Sequence, residues 1–198
     1  QRGGKVQEVA YELLGEGGLQ EFFVVTGVKP GIENQFSFHG SEGRLMEDFT
    51  PLSFSASVHA RALLAFVGYG FNIETDSLIW RDYDALDVSG RWLMILREAP
   101  DGGAASSGFE PYTALRKKVA VAKDRGAVGV LFVSGEKTDQ RDDLLPLVYD
   151  DSPATAGLPV LHIKRSLADQ LLAGAGQTIA GLEAEFYRSK VPHSFLLN

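Results

Sequence analysis

Four histidines, His39, His59, His162 and His193, and three adjacent acid pairs, Glu47-Asp48, Asp142-Asp143 and Asp150-Asp151, are the residues here that could hold a metal or move a proton. A hydrolytic zinc site needs three or more histidine or carboxylate ligands, usually with one closely spaced pair. No His-Glu-x-x-His or His-x-Asp run occurs. His162 stands inside the apolar run PVLHIK, where a core or edge histidine bonded to its neighbours is expected rather than a ligand. Neighbouring residues on a strand point to opposite faces, so the adjacent acids are expected in solvated loops and not in a shared site. Asp82, Asp84 and Asp87 are close enough in sequence to hold a hard cation such as calcium through oxygens. The glycine and distal glutamate of an EF-hand loop are missing there. No Gly-x-Ser-x-Gly elbow exists. Ser106-Ser107 lie in the small-residue loop DGGAASSG, a poor place to fix a nucleophile. The Gly68-Tyr69-Gly70 turn lacks the Gly-Lys-Ser/Thr that a phosphate loop requires. The basic residues from Arg116 to Lys123 read as a solvated helix face. The residue types and spacings assemble no catalytic constellation.

The elements that would have to position such residues are mostly strands. Val6, Val9, Ala10, Leu13 and Leu14 form a helical stripe that Gly15 ends. EFFVVT (21–26) and NQFSF (34–38) read as strands joined through Pro30-Gly31, and HGSEGRLMEDFTP as a polar loop and domain boundary. ALLAFVG and WLMIL are apolar strands on either side of the acid- and aromatic-rich stretch from Asn72 to Gly90. A helix follows over about 111–125, with Tyr112, Leu115, Val119 and Ala122 on one face and Gly126 at its C-terminal cap. VGVLFV and LPVLHI read as buried strands, SLADQLLAG as a short helix, and TIAGLEAEFY as a half-buried strand by alternation. The pattern suits an α/β chain of the α+β type. It predicts a mixed open barrel or sandwich of about seven strands with two or three flanking helices.

Bulk properties narrow the function classes. With 44% hydrophobic and 23% charged residues, 198 residues can bury a substantial core. A net charge of −7 argues against a nucleic-acid or anionic-membrane partner. There is no cysteine, hence no disulfide or thiolate site. No apolar run is long enough to cross a membrane as a helix. The N-terminus lacks the apolar stretch of a signal peptide and an initiator methionine, as a processed or excised piece would.

One resemblance joins these segments. FVGYGF followed by RDYDALDVSGRWLMILREAP resembles the protease-associated (PA) domain inserted in di-zinc aminopeptidases. ALRKKVAVAKDRGAVGVLFVSG (114–135) resembles the lysine-rich helix and strand of that domain, and GLPVLHIKRSLADQLLAG (157–174) its next segment. Residues 18–38 and 190–198 resemble the flanking edges of the peptidase domain. Two stretches depart from the pattern. Arg81 replaces the first of two adjacent acids, and Arg91-Trp92 replaces lysine and a β-branched residue.

The resemblance implies a PA domain over 46–188, an N-terminal flank over 1–45 and a C-terminal flank over 189–198. It implies no catalytic, cofactor or metal residue in this chain. Two zinc ions would belong to the parent peptidase domain, the partner within the same polypeptide. The module would modulate access of a peptide or protein substrate, or mediate protein interaction, outside the cytoplasm. Trp80 and Tyr83 are expected to be exposed and to form an interaction surface. The alternatives are a stand-alone binding protein of this fold, or a hydrolase using His162 with Asp150 and Asp151.

Overall fold

The computed structural model describes residues 8–10, 23–25, 28–84, 86–102, 108–148 and 154–197. In chain order the strands before the first helix are β1 (Glu8–Ala10), β2 (Phe23–Val25), β3 (Phe36–Phe38), β4 (Ser41–Gly43), β5 (Phe49–Pro51), β6 (Leu64–Val67), β7 (Asn72–Glu74), β8 (Ile79–Arg81) and β9 (Trp92–Leu96). Helix α1 (Leu115–Asp124), β10 (Gly129–Val133), β11 (Val160–Ile163), α2 (Arg165–Leu172), α3 (Ile179–Ser189) and β12 (Ser194–Leu196) complete the order.

Six of the strands form one mixed sheet in the order β12-β6-β9-β10-β11-β5. The four central strands are parallel, and the two at the edges run antiparallel to them. Parallel strands covered on both faces carry continuous apolar runs, and WLMIL, GVLFV and VLHI do so. Alternate residues feed two layers. Met94, Leu96, Leu131, Val133 and Ile163 face α2 and α3, whereas Leu93, Ile95, Val130, Phe132 and Val160 face α1. The α/β class and the mixed sheet expected from the sequence are what the structure contains.

Helix α1 ends as its sequence directs: Gly126 follows the C-cap Arg125 at a φ of +82°. Three local readings change. Glu8–Ala10, inside the expected N-terminal helix, pair antiparallel with Phe23–Val25; Val6, Leu13 and Leu14 lie outside the described residues. A short apolar stripe is compatible with either period, and strand pairing decides between them. The run from His39 to Pro51 is not simply a loop. Ser41–Gly43 pairs with Phe36–Phe38 across a tight turn in which His39 and Gly40 both have positive φ, and Phe49–Pro51 joins the main sheet on β11.

TIAGLEAEFY is helix α3 and not a strand. Leu182 and Phe186 are two alternation steps apart, but they are also one helical turn apart. With Ile179 they form the buried stripe. Ala184, which alternation would bury with them, is exposed. The Thr178 hydroxyl accepts from the Gly181 N–H and caps the first turn.

Candidate functional site

Because β6, β9, β10 and β11 are parallel, their carboxyl ends meet at one edge of the sheet. In open parallel sheets that edge is where side chains reach ligands. Here it gathers Arg97 and Glu98 after β9, Ser134 after β10, Lys164 and Arg165 after β11, and His162 one residue before the end of β11.

Ser134 and His162 form a buried pair, with Oγ and Nε2 3.1 Å apart. The arrangement resembles a nucleophile beside its base, and the other bonds decide whether it can act as one. The Leu145 backbone N–H donates to His162 Nδ1 at 2.9 Å, so Nδ1 carries a lone pair and no proton. Burial, helped by the nearby Arg97 charge, lowers the His162 pKa to about 3, and the ring stays neutral. Its single proton therefore sits on Nε2 and is donated to Ser134 Oγ. A base that activates serine needs Nε2 bare and a partner that accepts from Nδ1–H. This pair is wired the other way round. The Arg97 guanidinium also donates to Ser134 Oγ, at 2.8 Å, which occupies the hydroxyl further.

Glu98 pairs with the Arg97 guanidinium, and Arg165, Asp142 and Glu183 hold backbone. Arg165 Nη1 donates to the carbonyls of Ser134, Gly135 and Asp139, and the Asp142 carboxylate accepts from the Arg165 N–H at the start of α2. Glu183, buried on α3, accepts from the Lys137 N–H. Together they pin the loop after β10 over the sheet end.

A second polar group closes the β6–β9 side. Asp82 is buried and accepts from the Tyr69 N–H, the Phe71 N–H and the Trp80 indole N–H at 2.9–3.2 Å. Burial raises its carboxyl to about 7, against the pull of those donors and of Lys118. Lys118, only 1% exposed, donates to the Leu96, Arg97 and Glu98 carbonyls at 2.6–2.9 Å. Its ammonium sits 4.5 Å from the Phe71 ring centroid, and burial lowers its pKa to about 7. The solvated-face expectation for 116–123 fails at this residue. The long stem carries the charge past the sheet end to carbonyls that need donors.

Trp80 and Tyr83, expected to be exposed, are 4% and 1% exposed. On β8 the pleat turns Trp80 inward and leaves Ile79 64% exposed. Trp80 meets Phe109 edge-on, with centroids 5.3 Å apart, in the α3-side layer; Tyr83 packs in the α1-side layer with Val88. Neither ring is presented to a partner.

The other candidates separate as well. Asp82 is spent on backbone and indole, Asp84 lies beside Arg81, and Asp87 accepts from the Ser89 N–H, so the three make no cation site. Glu47 and Asp48 both pair with exposed Arg44, because they sit in a turn and not on a strand. Asp142 holds α2 while Asp143 pairs with Arg141. His39, His59 and His193 are exposed and His162 is buried. Among the described residues no three of His, Asp and Glu come together as a metal site, so these residues do not fit a zinc centre. Ser106-Ser107 and Asp150-Asp151 lie outside the described residues. Reading the sequence missed Arg97, Lys118 and Ser134. The available signal was their position, since Arg97 and Ser134 directly follow apolar parallel strands.

No family model matches the chain, and no curated protein does. Among solved structures, the chain is similar to an aminopeptidase from Aneurinibacillus sp. strain AM-1, with a TM-score of 0.45 and 17% identity. The match covers 79% of this chain and 30% of that one, so the chain spans less than a third of that protein's length. A likeness this loose carries no functional argument.

Proposed function

We propose that the chain is an interaction module of the protease-associated type, without chemistry of its own, from a zinc aminopeptidase that works outside the cytoplasm. The module spans 46–188, and the flanks 1–45 and 189–198 lead from and to a peptidase domain that holds the two zinc ions. Beside that domain it shapes access of peptide or protein substrates, or holds a partner. The sequence resemblance suggests the class. The observation that carries the absence of chemistry is the wiring of Ser134 and His162. The imidazole donates to the hydroxyl and has no lone pair left for its proton. The neighbouring charges of Arg165, Asp142 and Glu183 are likewise committed to backbone groups. Such a network gives a rigid, preorganised body.

Two measurements on the purified chain test this. With leucine p-nitroanilide and added zinc, hydrolysis is expected to stay at the buffer rate. Calorimetric titration with zinc is expected to show only weak, adventitious binding. Turnover that disappears in Ser134→Ala or His162→Asn, with the fold intact, would overturn the proposal. A tight stoichiometric zinc site would overturn it equally.

A further inference from the structure

Sulfur is scarce in this chain: there is no cysteine, and the two methionines are Met46 and Met94. Met94 lies on β9, fully buried in the apolar layer that faces α2 and α3. Met46 stands in the turn between β4 and β5, is 49% exposed and belongs to neither apolar layer. It is therefore the one sulfur that a dissolved reagent can reach. The turn around it is tightly held. The Met46 N–H donates to the Phe49 carbonyl at 2.7 Å, and the Arg44 carbonyl accepts from the N–H groups of Glu47, Asp48 and Phe49. The Arg44 guanidinium is bonded twice to the Asp48 carboxylate. The Asp48 carbonyl accepts from the Lys164 N–H, which ties the turn to the start of α2. Within this frame Met46 has a φ of +64°, a left-handed conformation that is costly for a long side chain. Its Sδ lies 3.4 Å from the hydroxyl of Thr50, a fully buried residue of β5. That hydroxyl is also 3.3 Å from the Pro51 carbonyl, so its single proton serves two acceptors. With either acceptor, Thr50 Oγ1 covers one side of the sulfur.

We propose that Met46 is a site of reversible oxidation by hydroperoxides, and that Thr50 directs oxygen to the sulfur lone pair turned away from it, giving mainly one sulfoxide epimer. The lone pair attacks a peroxide oxygen; the S–O bond forms as the O–O bond breaks. The proton of the transferred oxygen passes to the departing hydroxide, giving water. Sulfur gives up a pair of electrons and the peroxide takes them. Because Met46 lies outside both layers, the polar sulfoxide arises at the surface and the core stays closed. The same change at Met94 would put a polar group into the core. Methionine sulfoxide reductases, each taking one epimer, supply the return step. Neither direction depends on the module reading above.

The test treats the whole folded chain with hydrogen peroxide and follows the tryptic peptides 45–61 and 92–97, which carry Met46 and Met94, by mass spectrometry. Met46 is expected to gain one oxygen at least about tenfold faster than Met94, and the two rates to converge in urea. The two epimer-specific reductases then read the isolated 45–61 peptide. One of them is expected to reduce about three-quarters or more of its sulfoxide. Thr50→Ala, which uncovers the sulfur, is expected to bring the epimers close to equal amounts; Thr50→Ser, which keeps the hydroxyl, is expected to retain the excess. Oxidation of Met94 as fast as Met46 in the folded chain overturns the site. Equal epimers in the parent, or an excess that Thr50→Ala leaves unchanged, overturn the part given to Thr50. Loss of the folded circular dichroism spectrum once Met46 alone is oxidised overturns its reading as a surface mark.

Discussion

At His162 one backbone N–H separates a structural histidine from a catalytic one. Leu145 donates to Nδ1, and the proton left on Nε2 turns the ring into a donor towards Ser134. This has a consequence for pH dependence. The folded-state pKa is lowered to about 3, below the ordinary 6.5 of an exposed histidine. Below pH 6.5 the unfolded chain takes up a proton at this position that the folded chain refuses. The contribution to stability is complete above 6.5 and is lost progressively as pH falls towards 3. His162→Asn keeps an acceptor for the Leu145 N–H but cannot titrate. Urea unfolding at pH 7 and pH 4.5 is expected to show a smaller loss of stability in the variant than in the parent. Equal losses would mean that the ring protonates in the fold. The sequence marked His162 as a core or edge histidine, and in the structure it is buried, as its apolar neighbours suggest. It could not indicate Ser134, 28 positions away, as its partner.

Among elements, α3 is the instructive case. Its apolar residues at 182 and 186 satisfy both periods, and what separates helix from strand is the cap at Thr178 together with the surface that Ile179 can reach. Thr178→Ala removes the acceptor for the Gly181 N–H and is expected to cost about 1 kcal/mol. Thermal or urea unfolding would check this; an unchanged midpoint would show that the sheet alone holds the first turn. The central strands and α1 were legible because long apolar runs and a glycine stop leave few alternatives. The short strands β4, β5 and β12 were not. Each has three residues, and each exists as a strand only through its pairing partner. Pairing also carries Phe195, in the expected C-terminal flank, onto Phe66 of the core, with ring centroids 5.4 Å apart.

For the whole molecule, one sheet separates two apolar layers, and Trp80 and Tyr83 lie in different ones. Since the same strands supply both layers, the layers should unfold together. Trp80→Ala and Tyr83→Ala are each expected to lower one common unfolding transition by about 3–5 kcal/mol. Calorimetry checks this: a loss under about 1 kcal/mol would restore the exposed reading, and two separate transitions would break the single-core account. By itself the sequence determined the α/β class, the buried central strands, the helix before Gly126 and the lack of a recognisable catalytic motif. Those follow from composition and local periodicity, which act over a few residues. Only the tertiary structure decided the sheet order, the burial of Trp80, Tyr83 and Lys118, and the direction of the hydrogen bond between Ser134 and His162. Each depends on which groups, far apart in the chain, are brought close enough to replace water, and no local pattern encodes that.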